Sequence, residues 1–130
     1  MLKKTITFID ENGVKAEDTF YFNLSKAEVL ELNVIDDLRA VGQSKDARRI
    51  ITTFKRIVRH AVGSKIGSRF VKNEEYADVF MASDAYSELF IDILSGDDST
   101  AKMTAFTKGI LPEELSIEQD PLPEVNSKTK

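Results

Sequence analysis

The chain has 130 residues, 42% hydrophobic and 31% charged, with a net charge of −4 and no cysteine. A chain of that size and composition can form one globular core, and the missing thiols exclude disulfides and thiolate metal sites. No run approaches the ~18–20 apolar residues of a membrane span, and the basic start Met1–Ile6 lacks a signal peptide's apolar stretch, so the expected address is the cytoplasm.

Lys3 to Ile9 alternates, with Ile6 and Phe8 on one face and Thr5, Thr7 and Ile9 on the other. Asp10-Glu11-Asn12-Gly13 supplies turn chemistry, and Val14 to Phe22 resumes the alternation with Phe20 and Phe22 on one face. This predicts a β-hairpin with strands at about 3–9 and 14–22. Two strands alone are marginal in water, so one face must pack on helices. Ser25 with Glu28 three residues later reads as a capping box opening a short helix to about Asn33, Val29 and Leu32 inward. Residues 34–44 carry no decisive pattern.

Lys45 to Val62 gives the clearest helix. Ala47, Ile50, Ile51, Phe54, Ile57, Val58, Ala61 and Val62 share one arc, and Arg48, Arg49, Lys55, Arg56 and Arg59 lie opposite. Gly63 reads as its stop and Ser64 to Asn73 as a loop or short extended piece. Glu74 to Ala82 is a helix carrying Tyr76, Val79 and Phe80, with acids in its first turn. Ser83 is expected to cap a further helix from Asp84 to Ser95, bearing Tyr86, Leu89, Phe90, Ile93 and Leu94. After a turn at Gly96–Ser99, Thr100 to Gly109 forms a last helix with Met103, Phe106 and Ile110 on one side. All three prolines fall at 112, 121 and 123, where the composition turns Glu-rich. The expected architecture is α+β and mostly helical: a hairpin packed on a bundle of about four to five helices in one domain, 1–112, then a flexible tail, 113–130.

Charge is uneven along the chain. Residues 1–43 carry five basic and eight acidic side chains, 44–72 nine and one, and 73–130 four and thirteen. The basic block offers Arg48, Arg49, Lys55, Arg56 and Arg59 as an electrostatic contact face, but the protein is acidic overall and aromatic interleaving is missing. A solvated face, or one meeting acidic groups of the same or a neighbouring subunit, accounts for it better than nucleic acid does. The opposed blocks also make head-to-tail self-association an expectation.

Nothing selects a catalytic or metal site. His60 is the single histidine and lies on the basic, exposed arc of its helix. Gly63-Ser64-Lys65-Ile66-Gly67-Ser68 has the residues of a phosphate loop in the wrong order, after a helix instead of before one. Asp36-Asp37 and Asp97-Asp98 lack calcium-loop spacing and read as caps and solvated turns. No enzyme activity and no cofactor are expected. The aromatic residues of the second half exceed what one helix face needs, and such surplus can form a groove for a partner segment.

The order and spacing of several segments carry a resemblance. Thr19-Phe20-Tyr21-Phe22-Asn23-Leu24-Ser25-Lys26-Ala27-Glu28, Arg69-Phe70-Val71-Lys72, Ala85-Tyr86-Ser87-Glu88-Leu89-Phe90 and Ala105-Phe106-Thr107-Lys108-Gly109-Ile110-Leu111-Pro112 look like the tail assembly chaperones of long-tailed bacteriophages and prophages of Gram-positive bacteria. Residues 34–44 and Gly63–Ser68 depart from that pattern. The resemblance implies a non-enzymatic helper that coats the long tape measure protein in the host cytoplasm until tail tube subunits polymerise around it, and that is absent from the mature virion. It supplies no binding motif, so the candidate partner contacts, Tyr86, Phe90, Phe106 and Ile110, come from the helical pattern alone. A structural tail or capsid component and a small nucleic-acid-binding regulator are the alternatives.

Overall fold

In a computed structural model that describes residues 1–43 and 45–112, the alternating N-terminal segments form a hairpin. Strands β1 (Leu2–Ile9) and β2 (Lys15–Phe22) pair antiparallel, Leu2 opposite Phe22 and Ile9 opposite Lys15. The turn holds because Asp10 Oδ1 accepts from the backbone N–H groups of Asn12 and Val14, both at 2.9 Å, while Gly13 takes φ +80°. Even-numbered residues Ile6, Phe8, Phe20 and Phe22 face the helices. On the other face the hydroxyls of Thr5 and Thr19 meet at 3.0 Å.

Helix α1 (Lys26–Glu31) begins with the expected capping box: Ser25 Oγ accepts from Glu28 N–H, and Glu28 Oε1 accepts from Ser25 N–H. Asn33 adopts φ +56°, which breaks the helix and lets the chain restart as α2 (Val34–Gln43). The segment without a decisive pattern is therefore helical, burying Val34, Leu38 and Val41 at spacings of four and three. It brings the described helices to six instead of about four to five.

Helix α3 (Ala47–Ala61) is capped by Asp46, whose side chain accepts from Arg48 N–H at 3.0 Å. Phe54, Ile57, Val58 and Ala61 are buried, but its first turn overhangs the core and leaves Ala47 and Ile51 exposed. The chain then runs straight into β3 (Val62–Ile66), turns at Gly67 with φ +61°, and returns as β4 (Arg69–Val71). Of the loop or short extended piece expected at Ser64 to Asn73, the extended reading holds, as a second hairpin, and the sheet has order β1-β2-β3-β4. It joins the first through only two register pairs, Tyr21–Gly63 and Phe22–Val62, too short a stretch to show as alternation.

Gly63 is consequently not a helix stop, since extended Val62 already ends α3. Gly63 is needed because a Cβ there would lie 2.6 Å from Phe70 Cζ and 2.8 Å from Lys72 Cγ. Gly63→Ala should lower stability by about 1–3 kcal/mol through overpacking, checked by urea unfolding.

Helices α4 (Glu74–Ala82), α5 (Asp84–Leu94) and α6 (Ser99–Ile110) complete the fold. They cover the even-numbered face of the hairpin, and one continuous core cluster joins Phe20 and Phe22 to Phe54, Phe80, Leu89, Met103, Phe106 and Ile110. The α+β, mostly helical class expected from the sequence is what the chain forms. Among the described residues no helix is long and apolar enough to cross a membrane. The tail expected at 113–130 lies outside the described residues.

Candidate functional site

Two features of the sequence create a surface opening beside the hairpin tip. Asn73 caps α4 by accepting from Tyr76 N–H at 2.7 Å, which sets Phe80 inward, Tyr76 half-buried and Val79 outward. Ser83 then interrupts the helical run. It occupies the N-cap position of α5 but makes no side-chain cap; its hydroxyl instead donates back to Phe80 O at 2.7 Å. The expected cap is corrected accordingly, and α4 meets α5 at a bend. The hairpin meets this bend where Ile9 N–H donates to Asp84 Oδ2 at 2.9 Å.

The result is a groove of about 640 Å³ between the hairpin tip and α4. Phe8, Ile9, Phe20, Tyr76, Val79 and Phe80 give it apolar walls. Val79 is 64% exposed and Ile9 48%, so both aliphatic side chains flanking the opening are open to solvent. Asp10, Glu11, Asp18 and Asp84 also line it, and no lysine or arginine does. Asp10 and Asp84 hold the turn and the strand edge, whereas Asp18 shares the even-numbered face with Phe20 and Phe22, directly across from Ile6. Burial pushes the Tyr76 hydroxyl above its ordinary pKa, and the Asp18 carboxylate adds to that. The groove is an apolar trough lined also by acidic side chains, and among the described residues no group of three or more metal-ligating side chains gathers anywhere.

The expected contact residues fall behind this groove. Phe106 and Ile110 are buried, 4% and 0% exposed, while Tyr86 and Phe90 are half-buried. All the aromatic ones belong to a continuous ring-to-ring chain. Phe8 meets Phe20 at 6.0 Å, Phe20 meets Phe80 at 4.9 Å, and Phe80 meets Tyr86 at 6.2 Å. Tyr86 then meets Phe90 at 6.1 Å, and Phe54 bridges Phe90 and Phe106. Groove wall and core are therefore one aromatic assembly. Of the groove residues outside the expected contact set, Ile9 and Asp18 had a signal, an apolar residue on the threonine face of β1 and an acid on the apolar face of β2, whereas Val79 reads with Tyr76 and Phe80 as one apolar set of its helix.

The Tyr86 hydroxyl is buried with no hydrogen-bond partner, and burial raises its pKa. An orphan hydroxyl costs about 1–3 kcal/mol of desolvation. Tyr86→Phe should therefore leave the free protein as stable or more stable, by up to about 1 kcal/mol in thermal unfolding. A clear loss would mean the hydroxyl has a partner in solution.

On the basic helix, Arg48, Arg49 and Lys55 are exposed. Arg56 pairs with Asp37 of α2, and Arg59 pairs with Asp78 of α4 at 2.5 Å. Two of the five cations thus meet acids of the same chain. His60 is exposed, its Nδ1 2.9 Å from Arg56 O. A smaller polar pocket beside it is built around Lys72, whose Nζ donates to Glu28 Oε1 and Oε2 at 2.6 and 2.7 Å and to the carbonyls of Asn23 and His60. Lys72 ties the ends of β2 and α3 to the start of α1.

Burial raises the Glu28 pKa, but hydrogen bonds from Lys72 and from the Ser25 backbone outweigh it, leaving the carboxyl below its usual 4.5. A depressed carboxyl stabilises the fold above its unfolded pKa and ceases to do so as pH falls through the folded value. Glu28→Gln should cost about 1–2 kcal/mol at pH 7, with the gap to wild type closing as pH falls from 4.5 through the lower folded value. Denaturant unfolding across that range is the check.

The chain matches the family described as phage tail assembly chaperone over residues 1–129. No curated relative and no solved structure matches it. A match of that extent places the chain in the family: it is a phage tail assembly chaperone, and its work is with a partner protein in tail assembly.

Proposed function

We propose that this tail assembly chaperone binds the tape measure protein and keeps it soluble in the bacterial host cytoplasm until the tail tube polymerises around it. The role is non-enzymatic, and the chaperone leaves before the virion is finished. The observation that carries this reading is the apolar groove beneath the hairpin tip, set in a charged exterior. A long partner with apolar helical stretches aggregates unless those stretches are covered, and a groove with exposed aliphatic walls covers one stretch per copy. Phe80 forms the wall; Tyr86 and Phe90 back it, and Phe106 and Ile110 brace it from the core.

Co-expression with the tape measure protein of the same phage tests the reading. The tape measure protein should move from the insoluble to the soluble fraction and co-purify with the chaperone, and mass spectrometry of purified virions should not find the chaperone. A tape measure protein that stays insoluble with the chaperone present overturns the proposal.

A further inference from the structure

We infer that the groove selects, among apolar helices, those whose apolar stripe is flanked by lysine or arginine. The inference rests on the groove being the partner site. It comes from the placement of charge within it. Asp10, Glu11, Asp18 and Asp84 line the opening and no basic side chain does. Two of these acids have structural duties, the turn at Asp10 and the strand edge at Asp84. Among the described residues Asp18 has no such long-range duty: its Oδ1 accepts from the adjacent Thr19 N–H, and it stands on the apolar face of β2, where the pleat calls for a hydrophobic residue. Its carboxylate is near enough to Tyr76 to raise that hydroxyl's pKa, so its field reaches the groove wall. Four carboxylates lining an apolar trough penalise an acidic segment and favour a basic one.

The other occupants have the wrong chemistry. Residues 113–130 carry five acids and two lysines, the same sign as the groove mouth. A second copy could bring the arginines of its α3, but the apolar stripe of that helix, Phe54, Ile57 and Val58, is buried in its own core. A separate chain with an amphipathic, base-flanked helix supplies both features.

Two synthetic peptides of about 20 residues, long enough for helix formation, share one apolar stripe and differ only in carrying lysine or glutamate beside it. Fluorescence anisotropy with the full-length chain should show the lysine peptide binding about tenfold tighter or more at low salt, the preference shrinking as screening grows. In the double variant Glu11→Gln, Asp18→Asn, both exposed positions, the lysine-over-glutamate affinity ratio should fall several-fold. Equal affinity for the two peptides, or a preference the double variant keeps, overturns the inference. Tighter binding of a second copy of the chain than of either peptide also overturns it. The parent reading fails separately: a solubilised tape measure protein without charge preference rejects only this inference, and charge preference without solubilisation rejects only the tape measure assignment.

Discussion

Val79→Glu should leave the fold intact and abolish solubilisation of the tape measure protein. Val79 projects outward from α4 at 64% exposure, so it makes little contribution to the core, and a glutamate there stays solvated. Thermal unfolding should shift within about 0.5 kcal/mol of wild type, as for surface substitutions generally. In the complex the same carboxylate would be carried beneath the partner's apolar stripe instead of its basic flanks, which costs several kcal/mol and therefore well over a hundredfold in affinity. Val79→Leu, which keeps the wall apolar, should retain activity. If Val79→Glu solubilises the tape measure protein as well as wild type does, the groove is not where that protein binds.

Phe22→Ala should have the largest effect on stability. Phe22 is fully buried where the two hairpins and the helical layer converge, opposite Leu2 and Val62 in the sheet. Its ring packs edge-on to Phe80 at 5.9 Å and to Phe106 at 5.4 Å. Removing such a ring costs about 3–5 kcal/mol, transfer and cavity terms together, against a total stability of about 5–15 kcal/mol for a domain. Equilibrium unfolding should show that loss, and activity should fall with it, because Phe80 and the groove wall lean on Phe22. A loss below about 1 kcal/mol would mean that the helical layer does not rest on the sheet as described.

The fold was largely legible because its strongest patterns are local. The hairpin alternation, the Ser25–Glu28 capping box and the 45–62 periodicity each survive nearly residue for residue. Where reading failed, the deciding contact was long-range or backbone-specific. Gly63 looks like a helix stop in sequence, but it is selected by the Phe70 ring lying across it. Residues 34–43 become a helix because Asn33 accepts a left-handed conformation and Val34, Leu38 and Val41 find a core to enter. The two-residue join between β2 and β3 has too little alternation to announce itself.

The site was less legible than the fold. A surplus of large apolar groups on the short helices correctly implied more than one apolar side on α4, with Phe80 turned in and Val79 turned out. Which of those groups lines an opening depends on where the hairpin tip meets the α4–α5 bend, and no pattern within either segment encodes that meeting. Asp18 was visible as an acid among apolar even-numbered positions, yet its meaning required knowing that Tyr76 and Val79 stand nearby.

Amide chemical shifts of the ¹⁵N-labelled chaperone, recorded with and without a soluble apolar segment of the tape measure protein, test the central claim most directly. The largest shifts should cluster at Phe8 to Glu11, Asp18 to Phe20 and Tyr76 to Asp84. Shifts centred instead on Arg48, Arg49 and Lys55, with the groove amides unmoved, would contradict it.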